Sequence, residues 1–331
     1  MKQYSAQNIR NVAIVGHGGS GKTMLAEHML YTAGATERVG NVDQGNTQSD
    51  FDPLEVKRKI SLNASVLPLE WHGVKVNLVD VPGYTDFMGD LHAVARVVES
   101  IVIVTEAKRD LDVGFDLAME VAEKHGLATC IFVNKLERDN ADFEGLMETL
   151  HERYGRKVVC VQIPIGKQAA FSGVLDVLRM KVYKGKDRGE EIEDIPSAYA
   201  AEAAERRDKM MDAAAEGDDD LAMKYLEGEE LTEDEIEHGL LLGIETGKVI
   251  PVLVGSAHSG IGVAPLLGGH AQEDRGPRVH PGRQSAGRRI RVQDHGRPVR
   301  RQDQLRPGPA GIARAGRPRD QYAHRQRRAS A

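Results

Sequence analysis

One short stretch near the N-terminus restricts the fold of this chain more than any other feature. Residues 16–23 follow the apolar run 12–15 and precede a segment, 24–33, whose apolar residues recur at helical spacing. The stretch reads Gly16, His17, Gly18, Gly19, Ser20, Gly21, Lys22 and Thr23. This is the pattern G-x-x-x-x-G-K-[S/T] in the strand, loop and helix order that a phosphate-binding P-loop requires. The sequence therefore predicts that backbone amides and a helix N-terminus surround a phosphate chain.

Two side chains of this loop have predicted roles in phosphate chemistry. Lys22 is expected to reach the outer phosphates and to neutralise charge during phosphoryl transfer, and Thr23 is expected to bind Mg²⁺. The P-loop alone does not identify the nucleotide base, so that question rests on the rest of the chain.

Strand-like and helix-like segments alternate after the loop. Strand-like runs lie at residues 11–15, 74–78, 101–105, 129–133 and 249–254, helical spacing covers 24–33 and 115–124, and a closing helix begins at Val263. We predict an α/β P-loop NTPase fold, a mostly parallel sheet with helices on both faces. Residues 35–65 are polar and interrupted by glycines, and they are predicted to form a long switch loop.

A second predicted site element follows the strand at 74–78. Asp80, Val81, Pro82 and Gly83 come directly after this strand. An acid at a strand end beside a P-loop is expected to be a second anchor for Mg²⁺, and a glycine lets its N–H approach the terminal phosphate. We therefore assign Asp80 to the metal and nucleotide site and Gly83 to the catalytic site.

Two further segments predict recognition of guanine. Asn134, Lys135 and Glu137 stand where a GTPase carries N-K-x-D, in which the amide reads guanine N7, the lysine covers the ring and the acid accepts from N1 and the 2-amino group. Here the acid has one extra methylene. Ser256 and Ala257 follow the strand-like run at 249–254, and their backbone N–H groups are predicted to read guanine O6.

The remainder divides into two segments of different composition. Residues 157–243 combine a short β-like piece with an acidic helical part, including a capping box at Thr232 and Glu235, and are predicted to be an inserted α+β subdomain. Residues 1–156 and 244–267 then form the nucleotide domain. Cys130 and Cys160 have no motif spacing, so we expect free thiols in a reducing cytoplasm. No signal peptide or membrane segment is expected.

The C-terminal segment 268–331 contains 16 arginines, no lysine and five acidic residues, and it is rich in glycine and proline. Because it has few residues that could form a core, we predict a disordered tail. One interpretation is an arginine-rich RNA-binding arm, and the other is out-of-frame translation of a GC-rich gene.

With these motifs in place, the chain resembles the GTP-binding domain of bacterial elongation factor G, and more closely the elongation factor G-like paralogues. The matching motifs are residues 16–23, 58–61, 80–87, 134–137, 225–232 and 256–257. The resemblance implies GTP/GDP and Mg²⁺ as ligands, Ser61 as a further Mg²⁺ ligand, Tyr84 at the position of the residue that orients the attacking water, the ribosome as partner, and a cytoplasmic monomer.

The chain departs from this family at four positions. Gly19 replaces the usual P-loop aspartate, Ser61 a threonine, Tyr84 a histidine and Glu137 an aspartate. We therefore expect nucleotide binding to be retained better than fast hydrolysis. The alternatives to a translational GTPase are a binding-only GTP switch, a truncated product without translocation activity, RNA binding through the tail, and, as the weakest, an adenine-specific P-loop kinase.

Overall fold

A computed structural model describes residues 4–84, 86, 88–185, 189 and 191–268. The tail predicted for 268–331 lies outside these residues apart from Gly268. The strands are β1 (Ile9–Val15), β2 (Ser65–Trp71), β3 (Val74–Asp80), β4 (Ser100–Glu106), β5 (Ala128–Asn134), β6 (Val158–Cys160), β7 (Gln162–Ile165), β8 (Gly173–Asp176), β9 (Lys181–Lys184), β10 (Glu191–Glu193) and β11 (Ile250–Val254).

Helices form several of the connections between these strands. They are α1 (Lys22–Thr32), α2 (Pro53–Arg58), α3 (Met88–Val94), α4 (Val113–His125), α5 (Phe143–Tyr154), α6 (Ser197–Ala215), α7 (Asp219–Leu226), α8 (Glu233–Glu245) and α9 (Val263–Leu267). Among the described residues, none of these helices is both long enough and apolar enough to cross a membrane.

Seven strands form the main sheet in the order β2-β3-β1-β4-β5-β11-β6. All neighbours pair in parallel except β2, which runs antiparallel to β3 at the edge. The strands β4 and β5 are buried almost throughout, as expected for a parallel sheet covered by helices. The predicted α/β fold with a mostly parallel sheet is confirmed.

The predicted loop at 35–65 contains a helix that periodicity did not reveal. Asp52 caps α2 and forms a capping box with Glu55, and Pro53 occupies the first turn. Six residues are too short to show an apolar stripe, but these start signals were visible in the sequence. The strand β2 was also missed, although its residues alternate between buried and exposed.

A smaller antiparallel sheet has the order β10-β9-β8-β7 and is followed along the chain by α6, α7 and α8. The predicted capping box is present, since Thr232 caps α8 and bonds reciprocally with Glu235. Within the predicted subdomain 157–243, β6 pairs with β11 and so belongs to the main sheet. The domain boundaries remain a prediction.

The carboxyl ends of the parallel strands determine where the site forms. The strand β1 runs into the P-loop, β3 ends at Asp80, β5 ends at Asn134, and β11 ends two residues before Ser256. Because parallel strands end at the same edge of a sheet, four distant parts of the chain meet there.

Candidate functional site

A cavity of about 610 Å³ opens beside this edge of the main sheet. Most of the residues predicted for nucleotide binding line it, namely Gly18, Gly19, Gly21, Lys22, Thr23, Ser61, Gly83, Tyr84, Asn134, Lys135, Glu137 and Ala257. The other predicted residues, which are Gly16, His17, Ser20, Asp80 and Ser256, lie behind the lining. The structure therefore brings the separate motifs together around one space.

The P-loop enters helix α1 through a backbone conformation that suits glycine. Gly21 caps the helix with φ of 100°, a left-handed value that residues with a Cβ adopt only with strain. Lys22 begins the helix and donates from Nζ to the carbonyl of His17 at 2.8 Å. Burial lowers the pKa of Lys22 to about 8, while the negative charges of Asp80 and Asp50 oppose the shift. Its ammonium group is thus held inside the loop that is predicted to receive phosphates.

Hydroxyl and carboxylate oxygens form a compact cluster around Thr23, at the start of α1. Thr23 Oγ1 donates to Asp80 Oδ2 at 2.7 Å and lies 3.2 Å from Ser61 Oγ. Ser49 Oγ also donates to Asp80 Oδ2 at 2.7 Å. Complete burial raises the pKa of Asp80, opposed by the charge of Lys22 and by hydrogen bonds from Thr23 and Ser49. The three residues predicted to hold the metal are therefore neighbours.

Asp50 is a site residue that sequence reasoning passed over. It lines the cavity and is 5% exposed, and burial raises its pKa. Among the described residues, Asp50 Oδ1 and Asp80 Oδ1 are buried oxygens without a hydrogen-bond partner. Unpartnered hard oxygen atoms beside Thr23 and Ser61 match the ligand chemistry of Mg²⁺, so the residues present fit this ion.

Asn134 joins three segments of the site. Its Nδ2 donates to the carbonyl of Ser20 at 2.7 Å, and its Oδ1 accepts from the N–H of Ala257 at 2.7 Å and from that of Lys135 at 2.8 Å. An amide nitrogen carries two hydrogens, so Nδ2 has a second donor besides the one that Ser20 accepts. The side chain is only 1% exposed, so it holds the P-loop against the loop after β11.

The neighbouring residues of this motif face the cavity. Lys135 Nζ donates to the carbonyl of Gly19 at 2.6 Å and forms an ion pair with Glu106. Burial opposes ionisation of Glu106, but hydrogen bonds from Lys108 and Lys135 prevail and lower its pKa. Sequence reasoning missed Glu106, which fixes the lysine stem beside the P-loop. Glu137 Oε2 is buried without a partner in the described part of the chain, as expected for an acceptor that awaits a ligand.

The loop after β11 has its predicted amides already engaged. The N–H of Ser256 donates to the carbonyl of Ile261 at 2.9 Å, and the N–H of Ala257 donates to Asn134. Reading guanine O6 through these amides stays a prediction, and it requires them to exchange or share partners. Behind the P-loop, Ser20 Oγ and His17 Nδ1 are further buried atoms that have no partner among the residues described.

Two residues that follow Asp80 lie directly against the P-loop. Gly83 lies so close to Lys22 Nζ and to the carbonyl of Gly16 that a Cβ there would overlap both. Tyr84 is 40% exposed and its ring lies against Gly18. Both predicted catalytic positions therefore sit next to the phosphate-binding loop.

The fold and these contacts define a P-loop nucleotide-binding domain in which a cluster of oxygen atoms and the loop after β5 border one cavity. The chain belongs to the family of the elongation factor Tu GTP binding domain, whose model matches residues 7–272. This confirms the resemblance to translational GTPases, and it makes the chain a GTP-binding domain of a GTPase family.

A solved structure supports the same classification. The chain is 34% identical to a protein of Thermus thermophilus whose crystal structure is known, with a TM-score of 0.75. The match covers 79% of this chain and 39% of that chain, so this chain spans well under half the length of the Thermus protein.

Proposed function

We propose that this chain binds GTP with Mg²⁺ and hydrolyses it to GDP and phosphate, as the GTPase domain of a cytoplasmic, ribosome-associated protein similar to elongation factor G. The observation that carries the proposal is a direct link between the phosphate-binding loop and the residues predicted to read the base. Asn134 ties the P-loop to the loop after β11, and one cavity contains both Lys22 and Glu137. The residues proposed to bind phosphate and those proposed to bind the base therefore border one cavity, where a single nucleotide could contact both.

Phosphate binding follows from the charge of the loop. The ammonium group of Lys22 and the amides at the start of α1 would neutralise the β- and γ-phosphates of GTP. Mg²⁺ would be held by Thr23 and Ser61, with Asp80 and Asp50 accepting from its bound waters. When bound, this ion would neutralise phosphate charge.

Base recognition is proposed from Glu137, whose Oε2 has no hydrogen-bond partner among the described residues. Glu137 Oε2 would accept from the N1–H and 2-amino groups of guanine, while adenine offers no donor at these two positions. The hydrocarbon stem of Lys135, held by Glu106 and by the carbonyl of Gly19, would cover one face of the ring. Both features favour guanine over adenine, against the alternative of an adenine-specific kinase.

Hydrolysis requires that a water molecule be placed in line with the terminal phosphate. Gly83 and the ring of Tyr84 both lie against the P-loop. Domains of this kind hydrolyse GTP slowly without a partner, at about 10⁻⁴ to 10⁻² s⁻¹. We propose the ribosome as the partner that completes the site.

A binding-only GTP switch is the second candidate, and the packing of the Tyr84 ring on Gly18 favours it. Single-turnover hydrolysis of GTP, with and without ribosomes, separates the two. Cleavage that ribosomes accelerate supports the GTPase, whereas tight binding with no cleavage under either condition supports the switch. Competition of GTP and ATP against a fluorescent GDP analogue tests the base, and equal competition would contradict the proposed guanine site.

A further inference from the structure

Glu27 is a buried carboxylate that none of the predicted nucleotide contacts uses. It lies on α1, five residues after Lys22, and is 1% exposed. Its Oε1 accepts from the N–H of Gln48 at 2.6 Å and from the N–H of Ser49 at 3.3 Å. The N–H of Gly40 bonds to the same carboxylate. Three amides of the loop between α1 and α2 therefore converge on one side chain of the P-loop helix.

The loop is shaped to fit this carboxylate closely. A Cβ on Gly40 would overlap Glu27 Oε2 and would lie 2.8 Å from the Cα of Thr47. Only a residue without a side chain therefore allows the loop to close around Glu27. Such a specific approach of backbone to a buried acid indicates a defined docking point of the loop on α1.

Ser49 connects this docking point to the cluster of oxygen atoms around Asp80. Ser49, whose N–H bonds to Glu27, donates its hydroxyl to Asp80 at 2.7 Å. The carbonyl of Ser49 accepts from Ser65 Oγ at 2.8 Å, which ties the same residue to β2. Asp50 is the next residue along the chain and lines the cavity. The position of Glu27 thus sets where Ser49 and Asp50 stand relative to Thr23.

A second buried glutamate shows why Glu27 is distinct. Glu55 accepts from the N–H groups of Leu62 at 2.8 Å and Asn63 at 3.0 Å, after Ser61. Glu55 belongs to α2, within the switch segment itself, and so organises that segment internally. Glu27 belongs to α1, so its bonds connect the switch segment to the P-loop helix.

The charge of Glu27 is costly for folding, which argues for a role in the site. Burial raises the pKa of Glu27, opposed by the amides of Gln48, Ser49 and Gly40. A raised native pKa means that the ionised form at neutral pH is less favourable in the folded protein than in the unfolded one. Burial of an acid at such a cost is typical of functional sites.

We propose that Glu27 is a positioning residue that docks residues 40–50 on helix α1 and thereby sets the affinity of the nucleotide complex for Mg²⁺. This inference rests on the proposed function and deepens it. Glu27 is neither a proposed Mg²⁺ ligand nor a residue that lines the cavity, and it acts through Ser49 and Asp50. Its effect should therefore be seen only where Mg²⁺ contributes to nucleotide retention.

The test measures dissociation of a fluorescent GDP analogue from Glu27→Gln, in saturating Mg²⁺ and in EDTA. The amide keeps the size of the side chain but presents Nε2 hydrogens toward the N–H of Gly40. We expect dissociation in Mg²⁺ to accelerate on the order of 10-fold and the half-saturating Mg²⁺ concentration to rise. Dissociation in EDTA should match the wild type.

Two further variants distinguish loss of this contact from a general effect on the fold. Gly40→Ala disturbs the same contact from the loop side and should give the same Mg²⁺-specific loss, with less than additive effects in the double variant. Asp176→Asn is the matched control, because Asp176 is a 2% exposed acid that accepts from the N–H of Arg179 in the antiparallel sheet. It should leave both dissociation rates unchanged.

Several outcomes would overturn the inference. Equal acceleration in EDTA would show damage to the P-loop helix, and Glu27→Gln rates equal to those of Asp176→Asn would show that the contact is without consequence. In either case the wild type still binds nucleotide in a Mg²⁺-dependent way. A wild type without Mg²⁺-dependent binding would instead overturn the proposed function together with this inference.

Discussion

The ring of Tyr84 lies directly against the backbone of Gly18, and a Cβ on Gly18 would stand 2.8 Å from Tyr84 Cζ. The phenol therefore rests on the P-loop at the place where the family resemblance puts a histidine that orients water. A phenol reaches further than an imidazole and carries a single hydroxyl, so Tyr84 would hold a water molecule in a different way.

The first prediction concerns this residue. Tyr84→His should raise the rate of GTP hydrolysis with ribosomes, since the shorter imidazole vacates Gly18 and can accept a hydrogen bond from water near neutral pH. General acid–base and water-positioning groups contribute about 10²-fold or more when placed correctly. Single-turnover assays measure this, with Tyr84→Phe as the control that keeps the ring on Gly18 but removes the hydroxyl. An unchanged or lower rate for Tyr84→His would contradict the role of this position.

The second prediction concerns the proton on Lys22. Its native pKa is lowered to about 8 by burial, so above that pH the free protein holds fewer protons than the unfolded chain does. Stability therefore gains from this group as the pH rises from 8 toward about 10.4, the ordinary value for lysine. Bound phosphates restore the charge, so Lys22 should take up most of a proton on nucleotide binding at pH 9 and little at pH 7.

Calorimetric titration in buffers of different ionisation enthalpy measures this uptake. No greater proton uptake at pH 9 than at pH 7 would contradict the lowered pKa of Lys22 in the free protein.

The third prediction concerns guanine selectivity. Glu137→Gln should weaken GTP binding about 10- to 100-fold, because charged hydrogen bonds contribute about 1.5–3 kcal/mol and an amide cannot accept equally from two donors. Inosine triphosphate lacks the 2-amino group, so the variant should lose most of the preference for GTP over ITP. Competition against a fluorescent GDP analogue provides the affinities. Glu137→Asp measures the cost of the extra methylene, and an unchanged GTP/ITP ratio in Glu137→Gln would remove Glu137 from the base site.

Parts of the site were predictable from the sequence when the interacting residues are close along the chain, and not when they are far apart. The P-loop was predictable residue by residue, because its spacing reflects contacts that one short segment makes with phosphate. Asp80 and Asn134 were predictable because each ends an apolar strand at the sheet edge. Their partners were not, since the bond from Ala257 to Asn134 spans 123 residues and no local pattern encodes it.

The residues that were missed share a different property. Glu27, Asp50 and Glu106 are single acids that belong to none of the recognised motifs. Glu106 ends the buried strand β4, so the strand-end signal that marked Asp80 and Asn134 was present there as well. Only the fold shows that each is buried or partly buried beside the loop. The missed strand β2 contains Pro68, which argues against a central strand but suits the edge position that β2 occupies.

The last prediction concerns the junction at Asn134. Asn134→Ala removes the acceptor of two N–H groups and the donor to Ser20 in a side chain that is 1% exposed. Three backbone groups lose their partner at a cost of about 1–3 kcal/mol each, so the free energy of unfolding should fall by at least about 3 kcal/mol. Urea titration of the nucleotide-free protein measures this loss. Asn77→Ala serves as the control, because the amide of Asn77 donates to Asn11 at 2.8 Å between β3 and β1, away from the cavity. If Asn134→Ala is no less stable than Asn77→Ala, the bridge between the P-loop and the loop after β11 contributes little to folding.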